Sequence, residues 1–350
     1  MKKENRLLTI DGETLMSQPL TPLNFVVDTL LSQGLHILAG SPKVGKSWLA
    51  LWLAVTVAKG EQVWGMSVKQ GTTLYLCLED STLRIQNRLF EITEDAPANV
   101  HFSTNSDTLG KGLEEQLRAF LSEHPDTVLV IIDTLQMIRG TNYDNTYAND
   151  YRDLSVLKHI ADTHSIAILL VHHLRKMNDD DPMNMISGTT GLSGATDSNF
   201  VLRKSQRREN TATLYCTGRD IPYRELALEF DGEDHVWKLL SDDCEQTEQP
   251  SERILFLLSE LLHQQPEISA PAKVLLEKID PAGTEGLTPN SFSHRIRKSV
   301  DALRRNGITV SFRKSNGDRL ICLKRADGVD DPAAENIVTI DPENPPCFGV

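Results

Sequence analysis

The feature that most constrains the fold of this chain is a glycine-rich loop between an apolar run and a helical pattern. The loop reads Gly40-Ser41-Pro42-Lys43-Val44-Gly45-Lys46-Ser47 and matches the phosphate-binding P-loop pattern in full. Residues 35–39 are typical of a buried strand, and residues 48–58 are typical of an apolar helix. In that setting the backbone N–H groups and the helix N-terminus form an anion site, and an ordinary turn before a helix is the alternative. The loop predicts a bound nucleoside triphosphate, with Lys46 on the terminal phosphates and the Ser47 hydroxyl on Mg²⁺.

Length and composition leave room for two domains and exclude several classes of protein. The 350 residues suffice for one large core and a smaller second domain. The five cysteines form no CxxC pair, which argues against a zinc knuckle and fits a reducing cytosol. No apolar run approaches the ~18 residues of a transmembrane helix, and residues 7–10 are too short for a secretory core. We therefore expect a cytoplasmic protein that makes no membrane contact.

Short β-rich runs alternate with longer helical patterns from residue 21 to residue 240. Strands are predicted at residues 36–39, 72–78, 99–103, 127–132 and 166–171, and then at 199–204, 211–217, 225–230 and 235–240. Helices are predicted at residues 47–58, 81–93, 113–123 and 149–163. The alternation predicts an α/β domain with a mostly parallel sheet, and the close spacing of the last four strands predicts an antiparallel extension.

A second, smaller unit follows an acidic linker predicted at residues 241–252. Its helical patterns cover residues 253–262, 272–279 and 289–305, and two alternating runs at 308–313 and 319–324 flank an Asn-Gly step that suits a tight turn. Three helices followed by a hairpin is the order of a winged-helix domain, which we predict for residues 253–325. Residues 1–20 are predicted to form a weakly ordered arm, and residues 326–350 a disordered acidic tail.

Two further strand ends carry acids. Asp133 follows the apolar run 127–132 and suits the Walker B carboxylate that anchors Mg²⁺, with a plain strand-end aspartate as the alternative. Glu79 and Asp80 follow the run 73–78. Because ligands lie beyond the carboxyl ends of strands in such sheets, Glu79 is predicted to polarise the attacking water. Asp80 is predicted to cap the next helix, and the alternative gives both acids that structural role.

A pair of histidines, His172 and His173, ends the run 166–171. A histidine at this strand end could sense the γ-phosphate. Adjacent strand residues point to opposite faces, so the pair makes a poor metal site. We favour His172 for the crevice, and a structural histidine is the alternative for either one.

These motifs together resemble the RecA-type ATPase core of RepA-like hexameric replicative helicases of plasmids and other mobile elements. The matching pieces are GSPKVGKS, LYLCLED, VLVIIDT, LLVHHLRK, the segment ISGTTGLSGATDSNFVLRK with Gly188, Gly191 and Asp197, and TGRD with Arg219. The resemblance implies a RecA-like P-loop NTPase core, ATP and Mg²⁺ as ligands, and a homo-oligomeric ring, a hexamer, with ATP between neighbours. It further implies that Glu79 is catalytic, that Asp133 is the Mg²⁺ acid, and that His172 or His173 is the sensor.

In such rings an arginine from the neighbouring subunit stabilises charge on the transferred phosphoryl group. Arg219 is our first candidate and Arg203 the second. The sequence departs from the family pattern in a basic cluster at residues 203–208, in which Arg207 and Arg208 are interpreted as a solvated hairpin.

Nucleic acid would contact such a ring at two loops beyond strand ends. The first contains Arg139 beside polar and aromatic residues, which can follow a phosphate backbone and stack a base. Plain loop exposure is the alternative for Arg139. The second contains Arg175 and Lys176, but the acidic residues 179–181 weaken it as a DNA contact.

The C-terminal unit is basic, although the whole protein has a net charge of −13. Residues 291–325 contain ten Lys and Arg against two Asp. This charge predicts a duplex DNA reader, with a solvated face or a protein-docking module as the alternative. The predicted DNA contacts are Arg295, Arg297 and Lys298 on the third helix and Lys314 and Arg319 on the hairpin.

Three functions fit these features. The first is a ring-forming ATP-driven DNA helicase or replication ATPase of a mobile element, held on DNA by its winged helix. The second is a DNA-bound regulator or loader that hydrolyses ATP without unwinding. The third is a small-molecule or nucleoside kinase, which is disfavoured because it gives no role to the basic unit or to Glu79.

Overall fold

The chain folds as two units joined by polar segments. The structure, a computed structural model, describes residues 9–17, 23–139, 147–174, 181–186, 190–204, 210–244, 252–281, 283–284, 286–315 and 318–325. One unit is Leu23–Thr247, and the other joins Met1–Pro22 to Glu248–Val350.

Strands and helices alternate along most of the chain. The strands are β1 Phe25–Val27, β2 Leu31–Ser32, β3 Gly34–Gly40, β4 Thr72–Cys77, β5 Val100–Ser103, β6 Thr127–Asp133, β7 Ala167–His173, β8 Ser198–Arg203, β9 Thr211–Gly218, β10 Arg224–Phe230, β11 Trp237–Cys244, β12 Glu267–Pro271, β13 Ile308–Ser315 and β14 Asp318–Arg325. The α-helices are α1 Gly12–Ser17, α2 Lys46–Lys59, α3 Thr82–Ile92, α4 Leu113–Glu123, α5 Tyr147–His164, α6 Thr190–Ala195, α7 Glu252–Gln264, α8 Ala272–Ile279, α9 Pro289–Lys298 and α10 Val300–Arg305, and a 3-10 helix covers Pro182–Met185.

The larger unit is built on one mixed sheet. Within the described residues it has nine strands in the order β11-β10-β9-β8-β3-β7-β6-β4-β5. Six neighbouring strands run parallel to one another, namely β8, β3, β7, β6, β4 and β5. The strands β9, β10 and β11 extend the sheet beyond β8 in antiparallel pairs. The prediction of a mostly parallel sheet with an antiparallel extension is therefore confirmed. The short β1–β2 hairpin was not predicted.

Helices cover both faces of this sheet because its central strands are apolar on both sides. Every residue of β3 and of β6 is buried. Alternate residues of β3 enter different apolar clusters: Leu38 packs in one with Leu51 of α2, and Ile37 packs in the other with Leu157 of α5. This two-sided burial is typical of parallel strands.

The smaller unit contains a three-stranded antiparallel sheet among its described residues, in the order β12-β14-β13. The β13–β14 hairpin was predicted, whereas β12 was not. The single helix predicted for residues 289–305 is wrong, because the helix is interrupted at Ser299 and forms α9 and α10 instead. Ser299 is the C-cap of α9: its N–H donates to the carbonyls of Arg295 and Ile296, and its hydroxyl donates to Arg295 O at 2.7 Å.

Two predicted boundary segments also change, and a third lies outside the described residues. The predicted weakly ordered arm contains helix α1. The predicted linker at residues 241–252 is shorter than expected, because β11 continues to Cys244 and α7 begins at Glu252. The acidic tail at residues 326–350 lies outside the described residues. In the part of the chain that is described, each helix is too short or too polar to span a bilayer.

Candidate active site

The glycine-rich loop lies between the end of β3 and the first turn of α2. Lys43 and Gly45 both have a left-handed backbone, with φ of 63° and 108°, and Gly45 is the N-cap of α2. A Cβ at Gly40 would lie 2.8 Å from Leu202 O, and one at Gly45 would lie 2.8 Å from the Trp237 ring. Both glycines are therefore required for the close approach of neighbouring groups as well as for the turn.

Lys46 lies inside the crevice at the start of α2 and is 5% exposed. Its Nζ donates to Gly40 O at 2.8 Å and to Ser41 O at 3.1 Å. Burial lowers the pKa of this amine to about 8, although the charges of Asp133 and Glu79 act in the opposite direction. The structure thus brings the P-loop lysine and both predicted acids together, as the sequence analysis required.

Asp133 ends β6 and is 5% exposed. Its Oδ2 accepts a hydrogen bond from Tyr75 Oη at 2.8 Å, and its carboxylate also hydrogen bonds with the Ser47 side chain. Burial raises the pKa of Asp133, while the bonds from Ser47 and Tyr75 and the charge of Lys46 oppose that rise. Ser47 and Asp133 are therefore already adjacent to each other.

This pair fits a magnesium ion. Mg²⁺ in nucleotide sites is held by one or two protein oxygens together with waters and substrate phosphates. Among the described residues, no group of three or more His, Cys, Asp or Glu side chains could hold a metal by itself. The hydroxyl of Ser47 and the carboxylate of Asp133 are the donors that would hold Mg²⁺ beside bound phosphates.

Glu79 and Asp80 follow β4 and have different surroundings. Glu79 is exposed to the crevice, and its Oε1 accepts a hydrogen bond from Thr134 Oγ1 at 2.9 Å. Asp80 is bound by two arginines of α3, Arg84 at 2.8 Å and Arg88. Glu79 is thus the acid available to a reacting water.

The predicted capping role of Asp80 is wrong. Ser81 is the N-cap of α3, and its hydroxyl accepts the N–H of Arg84 at 3.3 Å. Serine at this position satisfies the first free N–H groups of the helix. Asp80 instead pairs with the side chains of the same helix.

The preference for His172 in the crevice is also wrong. His173 Nδ1 lies 3.4 Å from Lys46 Nζ, and His173 pairs with Gly40 in the β3–β7 ladder. His172 precedes it on the strand and is 8% exposed. Because neighbouring strand residues point to opposite faces, His173 faces the P-loop and His172 does not.

The two candidates for an arginine acting in trans lie at opposite ends of the sheet. Arg219 follows β9; its N–H donates to Asp197 O at 2.8 Å, and its Nη1 lies 3.5 Å from Asp197 Oδ1. Asp197 also accepts the N–H of Leu35 at the start of β3. Because β3 has seven residues, Arg219 is about 20 Å from the P-loop of its own chain. Arg203 lies one residue beyond the β8 position that pairs with Gly40, at the P-loop end.

The predicted pore arginine, Arg139, is not presented to solvent. Its side chain is 7% exposed, in the turn that follows β6 and Thr134. A backbone-tracking contact and plain loop exposure both require an accessible guanidinium, so neither interpretation fits this burial. The remaining predicted loop residues, Arg175, Lys176, Gly188, Arg207 and Arg208, lie outside the described residues.

In the smaller unit, the predicted DNA contacts lie on α9 and on the hairpin. Arg297 is exposed, and its guanidinium lies 4.9 Å from the centre of the Phe312 ring, which fixes the side chain over β13. Arg319 is exposed on β14, and Arg295 on α9 is half-buried. The side chains of Lys298 and Lys314 lie outside the described part of the structure.

Three residues of the site were missed by the sequence analysis. Tyr75, the partner of Asp133, lies within the predicted strand run 72–78, and Thr134, the partner of Glu79, lies two residues after the run 127–132. A polar residue inside an apolar run is the signal that could have found Tyr75. Trp237, whose Nε1 donates to Gly45 O at 3.2 Å, is far from the loop in sequence and gives no such signal.

This geometry defines a P-loop nucleotide-binding protein of the α/β class, with a lysine, a hydroxyl and two acids around one loop. The model of the AAA domain family matches residues 2–179, which is just over half of the chain. The chain belongs to the AAA domain family, and this membership confirms the prediction of an ATPase.

A search of curated protein sequences found no match. One similar solved structure is that of a DnaB-like replicative helicase, described with its interactions with primase. It is 15% identical, with a TM-score of 0.49, and the match covers 59% of this chain and 57% of that chain. The chain therefore spans somewhat more than half the length of this structural relative.

Proposed function

We propose that the protein is an ATP-hydrolysing motor that acts on DNA, namely a ring-forming replicative helicase or replication ATPase of a mobile element. The observation that carries the proposal is the joining of an ATPase site to a strongly basic second unit. Residues 291–325 hold ten Lys and Arg against two Asp in a chain whose net charge is −13. Such a concentration of positive charge is typical of a surface that binds a phosphate backbone.

The ATPase chemistry follows from the residues around the loop. Lys46 would contact the terminal phosphates, and Ser47 and Asp133 would hold Mg²⁺, which supplies charge neutralisation at the phosphates. Glu79, held at one oxygen by Thr134, would orient and polarise the attacking water. His173, 3.4 Å from Lys46 Nζ, is the histidine placed to respond to the terminal phosphate.

The smaller unit supports a winged-helix DNA contact. Its described elements follow the order α7, β12, α8, α9 with α10, then the β13–β14 hairpin, which is the order of a winged helix. In this proposal α9 presents Arg295, Arg297 and Lys298 to duplex DNA, and the hairpin presents Lys314 and Arg319.

The position of Arg219 supports the ring. Its side chain is 59% exposed and lies about 20 Å from the nucleotide site of its own chain. An arginine at that end of the sheet could reach a nucleotide only on another copy, through the head-to-tail contact that generates rings. Asp197 holds Arg219 at this end. A hexamer is the ring size implied by the family resemblance.

Strand displacement tests the motor. The full chain should unwind a forked DNA duplex in Mg-ATP, and Lys46→Ala and Glu79→Gln should each abolish unwinding. The Glu79→Gln variant should still bind Mg-ATP, because Glu79 is assigned to water activation rather than to binding. Absence of displacement on any fork by an active ATPase would contradict the helicase proposal.

One observation favours a second candidate, a DNA-bound ATPase that regulates or loads without unwinding. Arg139 is buried, so the first predicted pore loop offers no accessible guanidinium at that position. In this alternative the smaller unit binds duplex DNA and hydrolysis switches the larger unit between states. DNA-stimulated hydrolysis without strand displacement is its expected signature.

A further inference from the structure

We propose that Trp237 is a positioning residue for the phosphate-binding loop and a determinant of nucleotide affinity. This inference rests on the proposed nucleotide site and assigns it a residue from the antiparallel part of the sheet. Trp237 is the first residue of β11 and is 1% exposed. Its sequence position, almost two hundred residues after the loop, gave no indication of this contact.

The contact is made to the glycine that precedes the P-loop lysine. Trp237 Nε1 donates to Gly45 O at 3.2 Å. The same carbonyl accepts the N–H of Leu49 at 3.1 Å, a bond of the first turn of α2. The Gly45 carbonyl is therefore held by two donors: the Trp237 indole from the sheet and the Leu49 N–H from the helix.

The direction of this carbonyl also fixes the direction of the Lys46 N–H, which belongs to the same peptide group. In a trans peptide the C=O and the N–H point in opposite directions. Because Gly45 O is directed at Trp237 and Leu49, the N–H of Lys46 is directed to the other side of that peptide. This N–H belongs to the first residue of α2, and a free N–H at a helix N-terminus is a ligand for phosphate.

The indole has little freedom to leave this position. Its ring Cζ2 lies 2.8 Å from the point that a Cβ on Gly45 would occupy, so the contact with the loop is close. The Lys204 ammonium lies 5.4 Å from the centre of the ring, and the centre of the Phe230 ring lies 5.2 Å from it at an angle of 63° between the ring planes. The Trp64 Nε1 bond to Trp237 O, at 2.7 Å, reaches only the backbone carbonyl of β11 and not the indole or the loop. The loop is therefore supported by a preorganised aromatic group.

The Trp237→Phe variant of the full chain tests this role, with Trp64→Phe as its matched control. Each variant keeps an aromatic ring and removes one indole N–H bond, but only the first bond reaches the loop. We expect Trp237→Phe to raise the Kd for Mg-ATP and for Mg-ADP by about 2- to 10-fold, the usual net effect of one hydrogen bond. Trp64→Phe should stay within about twofold of wild type, which corresponds to less than one such bond. A merely structural role would lower the unfolding temperature of both variants without this difference in affinity.

A second measurement keeps Trp237 in place and therefore does not require the Trp237→Phe variant to fold. The four tryptophans are replaced by 5-fluorotryptophan, and the ¹⁹F signal of Trp237 is assigned by comparison with Trp→Phe variants at the other positions. Saturation with Mg-ATP should shift that signal. An unshifted Trp237 signal, or a Trp237→Phe variant that binds Mg-ATP as tightly as wild type, would overturn the inference. If the wild-type protein binds no Mg-ATP, the proposed function itself fails.

Discussion

The affinity of the protein for Mg-ATP should fall steeply above pH 8 because of Lys46. Burial lowers the pKa of this amine to about 8 in the nucleotide-free protein. The phosphates of bound ATP attract the ammonium form and raise its pKa, so binding selects the protonated lysine. Binding must therefore be accompanied by proton uptake wherever the free amine is partly neutral.

The size of the effect follows from that pKa. Half of the free protein has a neutral Lys46 at about pH 8, so each nucleotide bound there should take up about half a proton. Below about pH 7 the affinity should be constant. The Kd should rise about fivefold from pH 8 to pH 9 and approach a tenfold rise for each further pH unit, because the protonated, binding-competent fraction falls by those factors.

Calorimetry in two buffers of different ionisation enthalpy, from pH 7.5 to 9.5, measures both the Kd and the number of protons taken up. Lys46→Arg is the control, because a guanidinium remains charged over this range and should abolish the pH dependence even if binding is weaker. Among the described residues, the titratable groups that face the amine are Glu79 and Asp133 through their charges and His173 through its ring. His173→Asn should keep the wild-type dependence. A wild-type Kd that is constant up to pH 9.5, or binding without proton uptake at pH 8, would refute the argument.

Three other predictions concern hydrolysis and DNA. Glu79→Gln should lower kcat by about 10²- to 10³-fold while the Kd for Mg-ATP changes by less than about twofold, since a general base acts on the water and not on binding; a matched loss of affinity would contradict this role. Thr134→Val, which removes the hydroxyl donating to Glu79, should lower kcat by about 3- to 10-fold in the wild type and have no further effect in Glu79→Gln, as a kinetic double-mutant cycle would show. Arg297→Ala and Arg319→Ala should each weaken duplex binding and lower its salt slope by about one, whereas Lys273→Ala, at a 74% exposed lysine on α8, should leave both unchanged in fluorescence anisotropy titrations.

Much of the larger unit could be predicted because its signals are local. Apolar runs that end in a glycine loop or an acid mark β3, β4 and β6, and the carboxyl ends of parallel strands meet at one edge of the sheet. That rule alone places Glu79 and Asp133 near Lys46. The site was therefore predictable as far as it depends on strand ends.

The parts that could not be predicted depend on side-chain direction and on distant contacts. The choice between His172 and His173 depends on which face of β7 turns to the loop, and two adjacent histidines give no information on this. Ser81 and Asp80 are both good capping residues, and only the arginines of α3 decide which one caps. The burial of Arg139 likewise results from packing, because a basic residue in a predicted loop is expected to be exposed.

The phosphate-binding loop follows β3, a strand in the middle of the large sheet rather than at an edge. Among the described strands, β3 is hydrogen bonded to β7 on one side and to β8 on the other, and β5 and β11 are the two edge strands. Amide hydrogens of β3 should accordingly exchange with solvent only when the whole unit opens, long after those of the edge strands. A phosphate loop that follows a strand paired on both sides has a rigid base, and the motion of a nucleotide cycle must then come from the loops and side chains above it.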